Sequence, residues 1–173
     1  MTLKLRIAIS ACLIGQPVRY DGADKRQAWL EYIQNVDWIP ICPEVEAGMS
    51  VPREKIQVEL ANGELKLMAI ESRRDWSETM DDVANHWILQ LQQLQVSGYV
   101  FKSRSPSCGL QGVPLYTADG SLVDKQVQGR FAQRVNECLP DLPLVEETQM
   151  GIEVARNEFF RRARQFHRNC QFD

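Results

Sequence analysis

Short apolar runs alternate along the chain with longer segments in which apolar residues recur every three or four positions. The short runs have the length of buried strands, and the longer segments have the spacing of one helix face. The pattern predicts strands at residues 5–10, 37–41, 99–101 and 142–145. It predicts helices at residues 25–34, 79–95, 127–138 and 148–166. Strands that alternate with helices are typical of an α/β fold, so we expect one Rossmann-like domain over residues 1–173 with a mostly parallel sheet.

A β-hairpin interrupts this alternation. Residues 56–60 and 65–70 are two strand-like runs, and Asn62 and Gly63 lie between them. An Asn-Gly pair in this position is a strong signal for a tight turn, because both residues tolerate positive φ. We therefore expect the hairpin to be an excursion from the parallel sheet. After the hairpin, Thr79 is followed three positions later by Asp82, a spacing that resembles a capping box at the start of a helix.

Composition and charge narrow the class of protein. The chain has 173 residues, of which 44% are hydrophobic and 25% are charged, and its formal net charge is −3. These values are ordinary for a globular domain. The acidic balance argues against a membrane-surface protein and against nucleic acid as a partner. The apolar N-terminal stretch is explained better by a first buried strand than by a signal peptide. We therefore expect a cytoplasmic protein, either a monomer or a small homo-oligomer.

Three of the five cysteines occupy equivalent places in the pattern. Cys12 and Cys42 each follow a predicted strand closely, and Cys108 follows a third strand after a loop rich in serine and proline. The carboxyl ends of parallel strands meet at one edge of the sheet, where ligands bind in open α/β folds. The three thiols are therefore expected to converge at this edge, although a single free cysteine is more often a small buried apolar residue.

Three converging thiols favour a metal site. Thiolates select zinc, copper(I) or iron–sulfur clusters, and a structural zinc site usually has short paired ligand spacings that this chain lacks. A 4Fe-4S cluster suits widely separated cysteines better, and three ligands would leave one iron open to a substrate atom. Cys138, at a predicted helix end, and Cys170, in a polar tail, are interpreted as ordinary residues. Either of them would close the cluster if it were a fourth ligand.

The segments around the three cysteines also resemble a known family. They are SACLIGQPVRYDG at residues 10–22, CPEVEAGMSVPRE at residues 42–54 and KSRSPSCG at residues 102–109. Together they resemble the thiouracil desulfidase family, a bacterial family long catalogued as a domain of unknown function. The match extends from Ser10 to about Glu147, which is almost the whole chain.

The resemblance implies a cofactor, its ligands and a reaction. The cofactor is an oxygen-labile 4Fe-4S cluster with one open iron, and its ligands would be Cys12, Cys42 and Cys108. The substrate is a thiolated pyrimidine of the 2-thiouracil type, either a base or a nucleotide. The reaction replaces sulfur by oxygen without net redox change and releases hydrogen sulfide.

The resemblance also implies a catalytic carboxylate and a catalytic serine. The carboxylate falls in CPEVE, where Glu46 is the first choice and Glu44 the second. The serine falls in SRSPSC, where Ser105 is the first choice and Ser103 the second. We expect the carboxylate to activate the attacking water, and the serine to donate a hydrogen bond or relay a proton.

Basic residues in the same three loops offer counter-charges for a cluster or for a substrate phosphate. They are Arg19, Arg53, Lys102 and Arg104.

Two other functions stay open at this point. A cluster-based sensor or electron carrier would need a fourth ligand, and a cluster-free enzyme would use Cys108 as a nucleophile. His86 and His167 are predicted to be structural or exposed, which gives little support to a catalytic triad built on histidine.

Overall fold

Two four-stranded β-sheets form the framework of the protein. The computed structural model describes residues 4–170, except for the side chains of Lys125 and Cys170. In spatial order, the strands of the first sheet are Val36–Ile41 (β2), Leu5–Ser10 (β1), Gly98–Phe101 (β5) and Leu144–Glu146 (β8). Those of the second sheet are Glu64–Ala69 (β4), Ile56–Ala61 (β3), Val113–Thr117 (β6) and Leu122–Val127 (β7). The α-helices are Pro43–Glu46 (α1), Ser77–Gln93 (α2), Arg130–Cys138 (α3), Glu147–Met150 (α4) and Glu153–Cys170 (α5).

The first sheet is entirely parallel. β1 pairs with β2 on one side and with β5 on the other, and β8 pairs with β5. The chain moves outward from β1 to β2 and then returns to fill the other side, so the strand order reverses at β1. This arrangement confirms the predicted α/β fold with a mostly parallel sheet. It also places the carboxyl ends of β1, β2 and β5 side by side, at the kind of edge where open α/β sheets bind ligands.

The alternation of side chains along the parallel strands creates two apolar cores. Ile7 and Ile9 of β1 belong to a core that includes Phe159 and Ala163 of α5. Ala8 belongs to the other core, which it shares with residues of α2, α3 and the second sheet. Successive side chains of a strand point to opposite faces, so one buried strand contributes to both cores. Burial on both faces explains why β1 is a continuous apolar run in the sequence.

The predicted hairpin is confirmed and belongs to the second sheet. β3 and β4 are antiparallel, and Asn62 and Gly63 join them, both at positive φ. β3 also pairs in parallel with β6, and β6 forms a further antiparallel pair with β7. The sequence did not predict β6 and β7, because Pro114 interrupts the first and charged and amide side chains interrupt the second. The hairpin is therefore part of a larger mixed sheet.

Three helix predictions need correction, those for residues 25–34, 79–95 and 148–166. The predicted helix at residues 25–34 is wrong, because this segment contains only the short 3-10 helix Ala28–Tyr32. Its first part is held by backbone hydrogen bonds from Lys25 to the carbonyl of Cys12 and from Gln27 to that of Leu13.

The capping box proposed at Thr79 does not form. α2 begins at Ser77, and the Asp75 carboxylate accepts a hydrogen bond from the Ser77 N–H at 2.8 Å. The predicted helix at residues 148–166 is two helices, because α4 ends at Met150 and α5 starts at Glu153. No helix within residues 4–170 is both long and apolar enough to cross a membrane.

Candidate active site

Three cysteines line one cavity at the carboxyl edge of the parallel sheet. Cys12 lies in the 3-10 turn Ala11–Ile14 directly after β1, and Cys42 directly follows β2. Cys108 lies in the loop after β5. The cavity has a volume of about 320 Å³, and all three cysteines contribute to its lining. The fold thus brings together three thiols that are far apart in the sequence.

The loop that carries Cys108 is held in place by local contacts. The Ser105 hydroxyl accepts hydrogen bonds from the backbone N–H groups of Ser107 at 3.2 Å and Cys108 at 3.0 Å. The loop also packs closely against the residue before α3, since a Cβ at Gly129 would lie 2.8 Å from the Cys108 nitrogen. A residue larger than glycine does not fit there unless the loop moves. These contacts keep the Cys108 backbone in a defined position at the cavity.

The three cysteines are free thiols, and burial disfavours their charged form. Burial, with a smaller contribution from Cys42, raises the pKa of Cys12 to about 11. Burial also raises the pKa of Cys42 and raises that of Cys108 well above its ordinary value. The thiolate is the nucleophilic form of cysteine. Burial therefore disfavours the nucleophilic form of Cys108, which gives the cluster-free hypothesis little support.

The segment CPEVE is helical, and the helix separates its two glutamates. Glu44 and Glu46 are two positions apart in α1, so their side chains point about 200° apart around the helix axis. Glu44 lines the cavity, whereas Glu46 is exposed and lies outside the lining. Of the two carboxylates named from the sequence, the structure brings only Glu44 to the cysteines.

Contacts to Glu44 connect the three loops that carry the cysteines. Its Oε2 accepts a hydrogen bond from Arg53 Nε at 2.8 Å and lies 2.6 Å from Arg53 Nη2. Its Oε1 accepts a hydrogen bond from the hydroxyl of Ser107, the residue before Cys108, at 2.9 Å. Arg53 Nη2 also donates to the carbonyl of Val18, in the loop after Cys12, at 2.9 Å. The ion pair of Glu44 and Arg53 therefore links all three loops.

The two serines named from the sequence both line the cavity, but their hydroxyls have different partners. Ser103 Oγ donates to Glu147 Oε1 at 2.8 Å and accepts from Lys102 Nζ at 3.1 Å. Ser105 Oγ accepts two backbone N–H groups, which use both of its lone pairs. Its O–H group is still available as a donor, so Ser105 can donate a hydrogen bond into the cavity.

Positive charge dominates the cavity wall. Among the described residues, Glu44 is the only carboxylate in the lining. The basic residues in the lining are Arg19, Arg53, Lys102 and Arg104. Neither His86 nor His167 lines it. A wall of this kind favours a negatively charged cofactor, substrate or product.

Two buried polar residues at this edge were not singled out from the sequence. Glu147 directly follows β8 and lies 2.6 Å from Lys102 Nζ. Ser10, the last residue of β1, accepts a hydrogen bond from the Lys102 N–H at 3.0 Å. Both lie at the carboxyl ends of parallel strands, as the cysteines do, and that position was the signal that could have found them.

The remaining cysteines differ from these three. Cys138, at the end of α3, is exposed and lies outside the cavity lining. Cys170 is the last residue of α5, and its side chain lies outside the described part of the chain.

The fold and the cavity define an α/β enzyme with a cysteine-lined pocket at the carboxyl edge of a parallel sheet. The model of the 2-thiouracil desulfurase family matches residues 7–147, which is most of the chain. The chain belongs to this family, as the three cysteine motifs predicted. The predicted enzyme class, a thiouracil desulfidase, is confirmed by the family match and by the solved structure described next.

Two individual proteins extend the comparison. A solved structure of TudS, a 4Fe-4S-dependent thiouracil desulfidase, is 28% identical with a TM-score of 0.66, and the match covers 86% of this chain and 94% of TudS. The uncharacterized protein YbbK of Bacillus subtilis strain 168 is 27% identical over 110 residues, which are 60% of this chain and 72% of YbbK.

Proposed function

We propose that this enzyme removes sulfur from a thiolated pyrimidine of the 2-thiouracil type, forms the oxygenated pyrimidine and releases hydrogen sulfide. The cofactor in this proposal is a 4Fe-4S cluster with one open iron, and its ligands are Cys12, Cys42 and Cys108. The observation that carries the proposal is the convergence of three free thiols on one cavity in a member of this family. The dependence of TudS on a 4Fe-4S cluster supports it.

The donor set suits a cluster better than a single ion. One ion with thiolate bonds of about 2.3 Å draws its ligands into contact with one another. No group of three or more His, Cys, Asp or Glu side chains within residues 4–170 has an arrangement that could hold a metal ion. In a four-iron cluster each cysteine binds a different iron, so the ligands stand further apart.

The hydroxyl of Tyr99 is a second observation that fits a bound cluster. It is buried and has no hydrogen-bond partner among the described residues. Burial, followed by the neighbouring Cys108, raises its pKa well above the ordinary value for tyrosine. An unpaired buried donor is unfavourable unless a partner is present. A cluster sulfide or a ligating thiolate is a suitable acceptor for it.

The reaction in this proposal is a substitution without electron transfer. When bound, the cluster supplies an open iron that polarises the thiocarbonyl group. The oxygen of a water molecule adds to the ring carbon, and the C–S bond breaks with its electron pair on sulfur. Glu44, which Arg53 and Ser107 hold in place, accepts one proton from the attacking water. The second proton of the water passes to the sulfur, which leaves as hydrosulfide, and return of the first proton from Glu44 gives hydrogen sulfide. Ser105 donates its hydroxyl hydrogen bond to the water or to the reacting group.

The space around the site suits a small molecule. The cavity volume of about 320 Å³ is within the range for small-molecule pockets. A neighbouring cavity of about 270 Å³ shares Tyr20, Glu44, Arg104 and Pro106 with it. The neighbouring cavity gives a substrate space beside the cysteine-lined cavity.

The test starts with protein purified without oxygen. We expect about four irons per chain, a matching amount of acid-labile sulfide, and release of hydrogen sulfide when 2-thiouracil is added. A Glu44→Gln variant should lose about 10²-fold or more in kcat per bound iron. Glu46→Gln is the matched control, because this carboxylate is two residues away and exposed. It should behave as the wild type.

Three results would count against parts of the proposal. Colourless protein that iron and sulfide cannot reconstitute would remove the cluster. A stable cluster without sulfide release would favour a sensor or a different thiolated substrate. Wild-type kcat in Glu44→Gln would remove Glu44 as the proton acceptor.

A further inference from the structure

A second ion pair lies at the cavity, separate from the pair of Glu44 and Arg53. Lys102 Nζ lies 2.6 Å from Glu147 Oε1. Lys102 lines the cavity, whereas Glu147 lies outside the lining. The Lys102 side chain is 19% exposed and that of Glu147 is 7% exposed. The pair therefore presents its cation to the cavity and keeps its carboxylate buried.

Every hydrogen-bond donor of the Lys102 ammonium group is in use. Besides Glu147, it donates to the carbonyl of Ser103 at 3.0 Å and to the hydroxyl of Ser103 at 3.1 Å. An ammonium group has three N–H donors, so none is left for a ligand. Lys102 is thus fixed in place, although lysine side chains are otherwise highly flexible. It can act on a ligand through its positive charge, without giving up a proton.

Glu147 binds both the side chain of Lys102 and the next residue, Ser103. Its Oε2 accepts the backbone N–H of Ser103 at 2.6 Å, and its Oε1 accepts the Ser103 hydroxyl at 2.8 Å. The carboxylate therefore fixes the backbone next to Lys102 as well as the ammonium group itself. The backbone N–H of Lys102 also donates to the hydroxyl of Ser10 at 3.0 Å, two residues before Cys12, so Lys102 lies beside the cysteine-bearing end of β1.

We propose that Lys102 stabilises the negative charge on the departing sulfur and that Glu147 is the positioning residue that holds Lys102 there. The inference rests on the proposed desulfidation. As the C–S bond breaks, its electron pair passes to sulfur, and the sulfur leaves as hydrosulfide. The ammonium group keeps its proton and lowers the energy of this anion by charge alone. Glu44 then acts on the attacking water, and Lys102 acts on the leaving group.

The first test uses the cluster-loaded Lys102→Met variant with 2-thiouracil. We expect kcat to fall about 10²-fold, with a change in KM below about threefold because the charge matters most in the transition state. In a Lys102→Ala variant, which also removes the apolar stem and so leaves room for a small cation, ethylamine in the assay should restore part of kcat. Iron content should stay within error of the wild type, whereas the unfolding midpoint should fall, because the buried Glu147 carboxylate loses its cation.

A matched control separates this role from a general loss of charge. Lys66 also forms ion pairs, with Glu64 and Asp75 in and near the second sheet, away from the cavity. Lys66→Met should retain wild-type kcat and should not respond to ethylamine. Wild-type kcat in Lys102→Met would overturn the proposal. A loss of kcat in Lys102→Met accompanied by lost iron, with no recovery by ethylamine in Lys102→Ala, would also overturn it, because the role would then be structural.

The second test asks whether Glu147 acts through Lys102. Glu147→Gln in the wild-type background should lower kcat about tenfold, because one oxygen that accepts these bonds becomes a donor. In the Lys102→Met background, the same change should lower kcat less than about twofold, since residues that act as a unit are not additive. An equal loss in both backgrounds would overturn the positioning role.

The two proposals fail in different ways. If wild-type protein with an intact cluster releases no sulfide from 2-thiouracil, the proposed function fails and this inference fails with it. If the wild type releases sulfide and Lys102→Met does so at the same rate, only this inference fails.

Discussion

The two sheets have the same number of strands, yet only the parallel sheet carries the cysteine-lined cavity. In the parallel sheet all strands run in one direction, so the loops that follow them meet at one edge. In the second sheet, β3 and β4 are antiparallel, as are β6 and β7. Within each of these two antiparallel pairs the strands end at opposite edges, so the loops that follow them diverge. Strand direction is the difference that allows distant cysteines to converge.

Buried charge is also used differently in the two sheets. Glu59 of β3 is 1% exposed, and its two oxygens accept hydrogen bonds from Arg73 Nη1 and Nη2, both at 2.7 Å. This pair lies outside the lining of the cysteine cavity. Next to the parallel sheet, Glu147 holds a lysine that faces the cavity. We infer that the first pair maintains the fold and that the second maintains the site.

The largest expected effect comes from the cysteines of the parallel sheet. Cys12→Ala, Cys42→Ala or Cys108→Ala should abolish cluster binding and sulfide release, because a cluster held by three protein ligands cannot lose one of them. Iron and sulfide content and the visible absorption spectrum measure this directly.

Cys138→Ala is the matched control for the cysteine variants, since this thiol is exposed at the end of α3. It should keep full iron content and activity. Loss of the cluster in Cys138→Ala would identify a fourth ligand and favour the sensor hypothesis.

The next effect is steric and concerns Gly129, whose substitution by alanine would press on the Cys108 loop. Its new Cβ would lie 2.6 Å from the Ser107 carbonyl carbon and 2.8 Å from the Cys108 nitrogen. We expect the free energy of unfolding to fall by about 2–3 kcal/mol and the iron content to fall with it. Denaturant unfolding and iron analysis test both effects.

Gly151→Ala is the control for this steric effect, because the nearest atom to its new Cβ lies 3.6 Å away. Its free energy of unfolding should change by less than about 0.5 kcal/mol. Equal effects of the two substitutions would contradict the close approach at Gly129.

A smaller effect is expected in the second sheet, and it depends on pH. The hydrogen bonds from Arg73 hold the pKa of Glu59 below its ordinary value. Folding therefore favours the ionised carboxylate of Glu59. Its charge stabilises the folded state fully at pH values above the ordinary pKa of about 4.3. This stabilisation is lost as the pH falls through the lowered pKa of the folded state.

Glu59→Gln tests this stabilisation. At pH 7 the variant should unfold about 3–6 °C below the wild type, with unchanged kcat and iron content. The difference should close in strongly acidic solution, where the wild-type carboxyl is also neutral. A difference that stays the same from pH 7 down to the acid limit would contradict the role of the Glu59 charge.

The smallest effect is expected from a charge at the other edge of the parallel sheet. Asp37 lies near the start of β2 and is 3.5 Å from Lys4, and both side chains are largely exposed. Asp37→Asn should change the free energy of unfolding by less than about 0.5 kcal/mol and should leave sulfide release unchanged. A clear loss of activity would show that the carboxyl edge alone does not define the site.

Much of the fold was predictable because its signals are local. The apolar run of β1 and the Asn62-Gly63 turn indicate their structures within a few residues, and both are confirmed. The misses are segments whose structure depends on distant partners. Residues 25–34 form little helix because their first part bonds to the turn of Cys12, and β6 is stabilised by pairing with β3.

The sequence by itself determined the family, the α/β class and the strand ends where the cysteines lie, because motifs and apolar periodicity are properties of the chain alone. Only the tertiary structure decided which polar side chains reach the cavity. Glu44 bonds to Ser107, 63 positions away, and Ser103 bonds to Glu147, 44 positions away. Glu46, two positions from Glu44, points to solvent because the segment is helical. A side chain's direction and its distant partner arise when the chain folds, so no local pattern could specify them.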